Sequence, residues 1–160
     1  MGNQPSPITE NEAEVREAIE LLFFAYRDFT AEPDKILAQY GFGRAHHRVI
    51  YFVGRNPGST VSELLNILRI TKQSLSRVLR QLIHQDFVDQ RSDRDDRRKR
   101  LLFLTDKGIE LERRLTALQS QRIARAYQDA GAQYSNEFCK ILRGIIDPED
   151  RIRFKDLDTV

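Results

Sequence analysis

Two helix starts set close together, Thr60-Val-Ser-Glu63 and Thr71, constrain this chain more than any other feature of its sequence. In the first, the Thr60 oxygen can accept the orphan amide three residues on while Glu63 reaches back to the cap. The helix it opens is short, Val61 to Leu68, because Ile70 and Thr71 form a junction at which Thr71 can cap a second helix. That second helix runs through Ile83. Leu75, Val78, Leu79, Leu82 and Ile83 fall on one face, with Lys72, Gln73, Ser76, Arg77 and Arg80 on the other. At Phe87 the period changes to a β-compatible FVDQR stretch, a charged tip SDRDDR, and a return strand from Arg98 to Leu104. A β-hairpin is the economical reading.

Helical segments lie on both sides. Ala13 to Phe29 places Ile19, Leu22, Phe23, Tyr26 and Phe29 at helical spacing, with Leu21, Phe24 and Ala25 widening the stripe. Pro33 is expected to interrupt this helix, leaving a shorter piece through Ile36, Leu37 and Tyr40 before Gly41 and Gly43 mark a break. A helix from Arg44 carries Val49, Ile50, Phe52 and Val53 and ends at Asn56-Pro57-Gly58-Ser59. After the hairpin, Thr105 caps a long, thinly apolar helix through Ile109, Leu111, Leu115, Leu118 and Ile123. A last helix, Tyr134 to Ile146, stops at Asp147-Pro148 ahead of a tail expected to be loosely ordered.

This order of helix, helix, short helix, turn, polar-faced helix and hairpin is that of a winged helix-turn-helix. The fold class expected is mainly α with a small β-hairpin wing, flanked by long N- and C-terminal dimerisation helices. By residue, the expected division is a flexible lead (1–10), N-terminal dimerisation helices (11–43), the winged DNA-binding domain (44–108), C-terminal dimerisation helices (109–147) and a charged tail (148–160). The outer helices permit a dimer because they carry more apolar surface than one small winged helix can cover.

Charge is sorted along the chain although the total is only +2. The first forty residues hold eight acidic groups against Arg16, Arg27 and Lys35, a stretch that repels a phosphate backbone. From Arg69 to Lys107 eleven bases face six aspartates, so attraction for a polyanion concentrates there. The longest apolar run, Leu21 to Tyr26, is far short of the roughly 20 residues of a membrane span. The N-terminus MGNQPSPITENE lacks the basic and apolar regions of a signal peptide, so no membrane partner and a cytoplasmic location are expected.

A major groove about 12 Å wide admits one α-helix, and the Thr71 to Ile83 helix has the chemistry to read it. Lys72 can reach phosphate or guanine, Gln73 can pair with adenine, Ser76 adapts to either, and Arg77 can pair bidentately with guanine. Thr71 and Ser74 suit a phosphate or the cap, and the amides at the Val61 helix start, beside Ser62, suit a phosphate oxygen. Arg94, Arg97 and Arg98 sit near a hairpin tip narrow enough for the minor groove. The aspartates of that tip weaken attraction, and Asp96 is expected to act as a clamp that orients a neighbouring guanidinium.

These residues resemble the MarR-type transcriptional regulators over nearly the whole chain. Val61-Ser-Glu-Leu-Leu is similar to the first helix of that family's helix-turn-helix, and Ile70-Thr-Lys-Gln-Ser-Leu-Ser-Arg-Val-Leu-Arg-Gln-Leu to its recognition helix. The sharpest match is Asp96-Arg97-Arg98 followed by Leu102, Leu104, Thr105 and Gly108, which resembles the family's wing and its L-T-x-x-G sequel. The resemblance implies a homodimer built by interleaved terminal helices, double-stranded DNA carrying a pseudo-palindromic operator, and usually repression relieved by a small ligand or an oxidant. It also implies an effector cleft between the dimer helices and the DNA-binding lobe, where His46, His47, Arg48 and Tyr26 are the candidates.

The remaining reactive residues have plainer readings. Adjacent helical residues diverge by about 100°, so His46 and His47 do not readily chelate one ion. Capping, a dimer contact or the effector pocket suits them better, and His84 reads as a surface residue. Cys139 is the single cysteine, so no internal disulfide forms; Phe138 and Ile141 beside it look buried, making it a small apolar residue in preference to an oxidant sensor. No Gly-rich phosphate loop, metal motif or nucleophile-base frame appears, and neither catalysis, a metal nor a cofactor is expected.

Overall fold

A computed structural model describes residues 12–157, with side chains to residue 154. The chain divides into two compact units, Met1–Gln119 and Ser120–Val160. The lead assigned to residues 1–10 lies outside the described residues, as do the last three of the tail.

In the first unit, helix α1 (Glu12–Ala38) is continuous. The break expected at Pro33 does not occur. A proline in a helix interior forfeits one backbone hydrogen bond, but Pro33 is fully buried, one turn from the equally buried Leu37, and this packing offsets the loss. The Thr30 hydroxyl donates to the carbonyls of Tyr26 and Arg27 in the turn before it. Gly41, at φ +70°, then reverses the chain, and the Phe42 amide returns to the Leu37 carbonyl at 3.0 Å.

Helix α2 (Arg44–Arg55) follows, then β1 (Ser59–Thr60), α3 (Val61–Leu68), α4 (Lys72–His84), β2 (Val88–Ser92) and β3 (Arg100–Leu104). The hairpin is therefore present, but a third strand joins it. β1 pairs antiparallel with β3, Ser59 opposite Leu102, so the order is β1-β3-β2. Two residues that read as a turn and a cap also close a sheet. The core gathers Leu37, Val49, Ile50, Val53, Leu64, Leu75, Leu82 and Leu102, all at 0% exposure, with Phe87 among them. Each reading-helix position assigned to the apolar face is buried except Ile83, which is 37% exposed.

Helix α5 (Asp106–Ala130) starts against the end of α4. Thr105 caps it, its hydroxyl oxygen accepting the Gly108 amide at 3.0 Å and its hydroxyl donating to the Asp86 carbonyl at 2.6 Å. A Cβ at Gly108 would lie 2.0 Å from the Phe87 carbonyl oxygen, so only glycine lets α5 approach the chain here.

The second unit holds the end of α5 and α6 (Ser135–Ile145), and two readings change. No residue of α6 is buried; Phe138 is 39% and Ile141 64% exposed, so the pair does not enclose Cys139. The half-buried Cys139 instead places its sulfur 3.8 Å from the Tyr127 hydroxyl. The expected loose tail begins with a helical turn, α7 (Pro148–Arg151), and continues as a 3-10 turn to Leu157. Pro148 opens α7 because its missing amide is one the first turn leaves unused. Arg151 secures it, donating to the carbonyls of Ile146 and Gly144 at the end of α6.

Candidate nucleic-acid interface

The short and the reading helix each begin on a threonine. Thr60 Oγ1 accepts the Glu63 amide at 3.2 Å, and Glu63 takes the Thr60 amide at 2.6 Å. That amide, and next the Thr60 hydroxyl, hold the Glu63 carboxyl below its ordinary value, with Lys99 of the wing adding at longer range. Ser62 is exposed beside this cap.

Thr71 Oγ1 accepts the Ser74 amide at 3.1 Å and its hydroxyl bonds Ser74 Oγ at 2.9 Å. Of the two roles open to this pair, the cap is the one made. Lys72, Gln73, Ser76, Arg77 and Arg80 are all exposed, on the side opposite Leu75, Val78 and Leu79. The junction between α3 and α4 turns on Arg69, a non-glycine residue at φ 49°. The sequence gives little warning of that conformation, which usually favours glycine or asparagine.

At the wing tip two of the three carboxylates are partly covered, while Asp95 and the guanidinium groups face outward. Asp93 and Asp96 are half-buried, whereas Arg94, Arg97 and Arg98 are exposed and pair with no carboxylate among the described residues. The Asp96 carboxylate engages the main chain rather than a guanidinium. Its Oδ1 accepts the Arg98 amide at 3.0 Å, and Asp93 accepts the Asp95 amide at 2.9 Å. The tip is short and an amide two residues on lies nearer an aspartate carboxylate than the end of an arginine side chain does, so the Asx turn forms first. The Asp93 and Lys99 backbones close the loop at 3.1 Å. Nearer the base, Arg91 pairs with Asp89 at 2.7 Å and lies over the Phe103 ring, and Arg100 donates to Ser92. These two arginines brace the wing.

The four effector candidates separate. His46 is buried and engaged: Nδ1 accepts the Gly43 amide at 3.1 Å and Nε2 meets Gln81 Oε1 at 2.7 Å. It serves as a cap and a tie to α4. Tyr26 and Arg48 come together, Arg48 Nη2 donating to the Tyr26 hydroxyl at 3.0 Å. Arg44 lies over the same ring and bonds Asp34 Oδ2 at 3.2 Å, while Asp34 Oδ1 is buried with no partner. Burial holds the nearby His47 imidazole below its ordinary value, against the pull of Asp34 and Glu112. An open cavity of about 450 Å³ elsewhere, at the foot of the wing, is lined by Asp86, Asp89 and Asp106 and does not involve these residues.

Residues 40–99, from the chain reversal to the wing tip, match the MarR family. The HTH-type transcriptional regulator PetP of Rhodobacter capsulatus is 49% identical over 144 residues, 90% of this chain and 87% of PetP. The chain belongs to the MarR family. The MarR fold extends well beyond the matched segment. A crystal structure of a MarR family transcription regulator, SP03579, superposes with a TM-score of 0.73 at 15% identity, covering 97% of this chain and 100% of the other. The crystal structure of NadR in complex with 4-hydroxyphenylacetate gives 0.67 at 20% identity, covering 91% and 97%. The protein is thus a MarR-type transcriptional regulator of winged-helix fold, with no described helix long and apolar enough to cross a membrane. Among the described residues no cluster of three His, Cys, Asp or Glu side chains could hold a metal ion.

Proposed function

We propose that the protein is a homodimeric repressor that binds a pseudo-palindromic operator in double-stranded DNA and is modulated by a small-molecule effector. The observation that carries this reading is α4, capped by Thr71 and tied to His46, which turns Lys72, Gln73, Ser76 and Arg77 outward beside a wing tip bearing Arg94, Arg97 and Arg98. In a two-fold dimer the two α4 helices enter major grooves about 34 Å apart, and the wing arginines reach the flanking minor grooves. Thr71, Ser74 and Ser62 lie at the helix starts, where exposed amides and hydroxyls meet phosphate. The apolar stripe of α1, with Phe23 at 71% exposure, supports its burial against a second copy.

The effector reading rests on Tyr26, Arg48 and His47, with Arg44 beside them. Two guanidinium groups about one tyrosine suit the carboxylate of an aromatic acid, the class to which the 4-hydroxyphenylacetate in complex with NadR belongs. His46 leaves this set because both of its nitrogens are already used.

The test is selection of bound fragments from genomic DNA, then binding of the best fragment and of scrambled DNA at two salt concentrations. A palindromic consensus bound by a dimer, with affinity falling steeply with salt and roughly 10³-fold preference over scrambled DNA, is the expected result. Equal binding to both DNAs would indicate an architectural role, and no binding would indicate a protein partner for the basic wing.

A further inference from the structure

Gln81 in the last turn of α4 and Gln85, the residue that caps its C-terminal end, lie one turn apart beyond Arg77, and each is tied to the start of the α2 region. Gln85 Nε2 donates to the Tyr40 carbonyl at 3.2 Å, and Gln81 Oε1 stands 2.7 Å from His46 Nε2. The second imidazole nitrogen, Nδ1, accepts the Gly43 amide at 3.1 Å. A ring whose Nδ1 accepts is neutral and carries its hydrogen on Nε2, so Nε2 donates to Gln81. The ring is buried and stacks on Phe42 at 4.6 Å, and Phe42 and Tyr40 both meet Phe87 edge-on, at 5.2 and 5.1 Å. One imidazole therefore caps α2 and holds α4 through a bonding pattern that only its neutral form supplies.

We propose that His46 is a positioning residue for α4 whose protonation releases the helix, so that operator binding falls on mild acidification. This rests on the reading of α4 as the DNA-reading helix. A proton on Nδ1 turns an acceptor into a donor facing the Gly43 amide, N–H against N–H, and the first turn of α2 loses its partner. The ring must then shift, and in moving from Gly43 it draws away from Gln81.

The surroundings do not favour the imidazolium. Arg77 is the charged group of α4 that bears on the ring, and it repels a cation. Phe42 from the connection stacks on it as a neutral ring, and Phe87, before β2, packs on Phe42 in turn, with Tyr40 against Phe87. On α2, His47 looks instead to Asp34, Glu112 and Arg48. Burial above all holds His46 below the ordinary imidazole value; the Gln81 hydrogen bond opposes this and Arg77 adds to it. The folded state therefore binds fewer protons than the unfolded one. The tie is intact above the ordinary value of about 6.5 and is lost as pH falls through the folded value.

The experiment measures operator binding by the full chain from about pH 7.5 down to the lowest pH at which its thermal midpoint shows it still folded, with hydrogen exchange of the α4 amides in the DNA-free protein. Wild-type affinity is expected to hold level down to about pH 6.5 and then to fall, by about tenfold for each full pH unit below the folded value, with α4 protection falling alongside it. His46→Gln keeps an acceptor for the Gly43 amide and a donor for Gln81 without a titrating group; it is expected to retain α4 protection and flatten the affinity profile. Gln81→Leu, with its thermal midpoint as a check on folding, is expected to bind at about pH 7.5 as weakly as the wild type does at the acid end of that range. A His46→Gln profile identical to wild type, or α4 protection indifferent to pH, overturns the proposal. Absence of DNA binding by the wild type at every pH overturns the DNA-reading assignment instead, and the exchange data then decide the tie alone.

Discussion

Asp96 shows how one carboxylate beside several arginines can serve them without pairing with any. By holding the Arg98 amide it shapes the tip from which Arg97 and Arg98 project, and its negative charge weakens general attraction to phosphate. The two effects separate on substitution. Asp96→Ala is expected to weaken operator binding about fivefold, the equivalent of one hydrogen bond, while binding to scrambled DNA stays level or rises as a negative charge is removed. Competition titration of the two DNAs reads the difference; an equal loss on both would show that the turn contributes no orientation. Arg77→Ala gives the complementary residue test. If Arg77 meets a base, the cost is about 1 to 3 kcal/mol and is confined to one operator position; if it meets phosphate, all sequences weaken alike.

Among the elements, the junction of α4 with α5 carries the tightest packing. Gly108 lies directly on the Phe87 carbonyl, and Lys107 donates from the next position to the Gln85 carbonyl at 2.8 Å. Gly108→Ala is expected to destabilise the fold by about 3 kcal/mol, seen as a lower urea midpoint, because backbone rather than a flexible side chain must yield. The Thr105 and Gly108 pair was legible in the sequence as part of a motif, but the close approach that demands glycine was not, since it involves a residue from another element. The same limit explains the other differences. The caps at Thr60 and Thr71 and the two faces of α4 depend on neighbours within a turn and could be read directly. Pro33 could not: local backbone chemistry argues for a break, and only tertiary burial opposes it. β1 is too short for any period, and the role of His46 appears only when Gly43 and Gln81 are brought to its two nitrogens.

The whole molecule presents apolar surface on helices whose chain neighbours do not cover it. Ile19, Leu22, Phe23 and Phe24 on α1 are each about half exposed or more, and Ile141 and Ile145 of α6 are exposed by more than 60%. The expected dimer has a direct check in sedimentation equilibrium. Phe23→Glu should raise the dimer dissociation constant by tenfold or more, about 1.4 kcal/mol, and lower affinity for a palindrome more than for a half-site. An unchanged dimer would place the interface elsewhere. The candidate DNA-binding residues and the acidic residues of α1 lie in separate stretches of sequence, so charge sorting points to a binding region even though the net charge is nearly zero. The edges of the wing bear on how copies of the chain meet one another. Its centre, β3, is paired on both sides; one outer edge is only the two residues of β1, and the other, β2, carries Asp89 and Arg91. A stray strand finds no long, uncharged row of amides on which to grow, so this projecting sheet is poorly suited to seed aggregation.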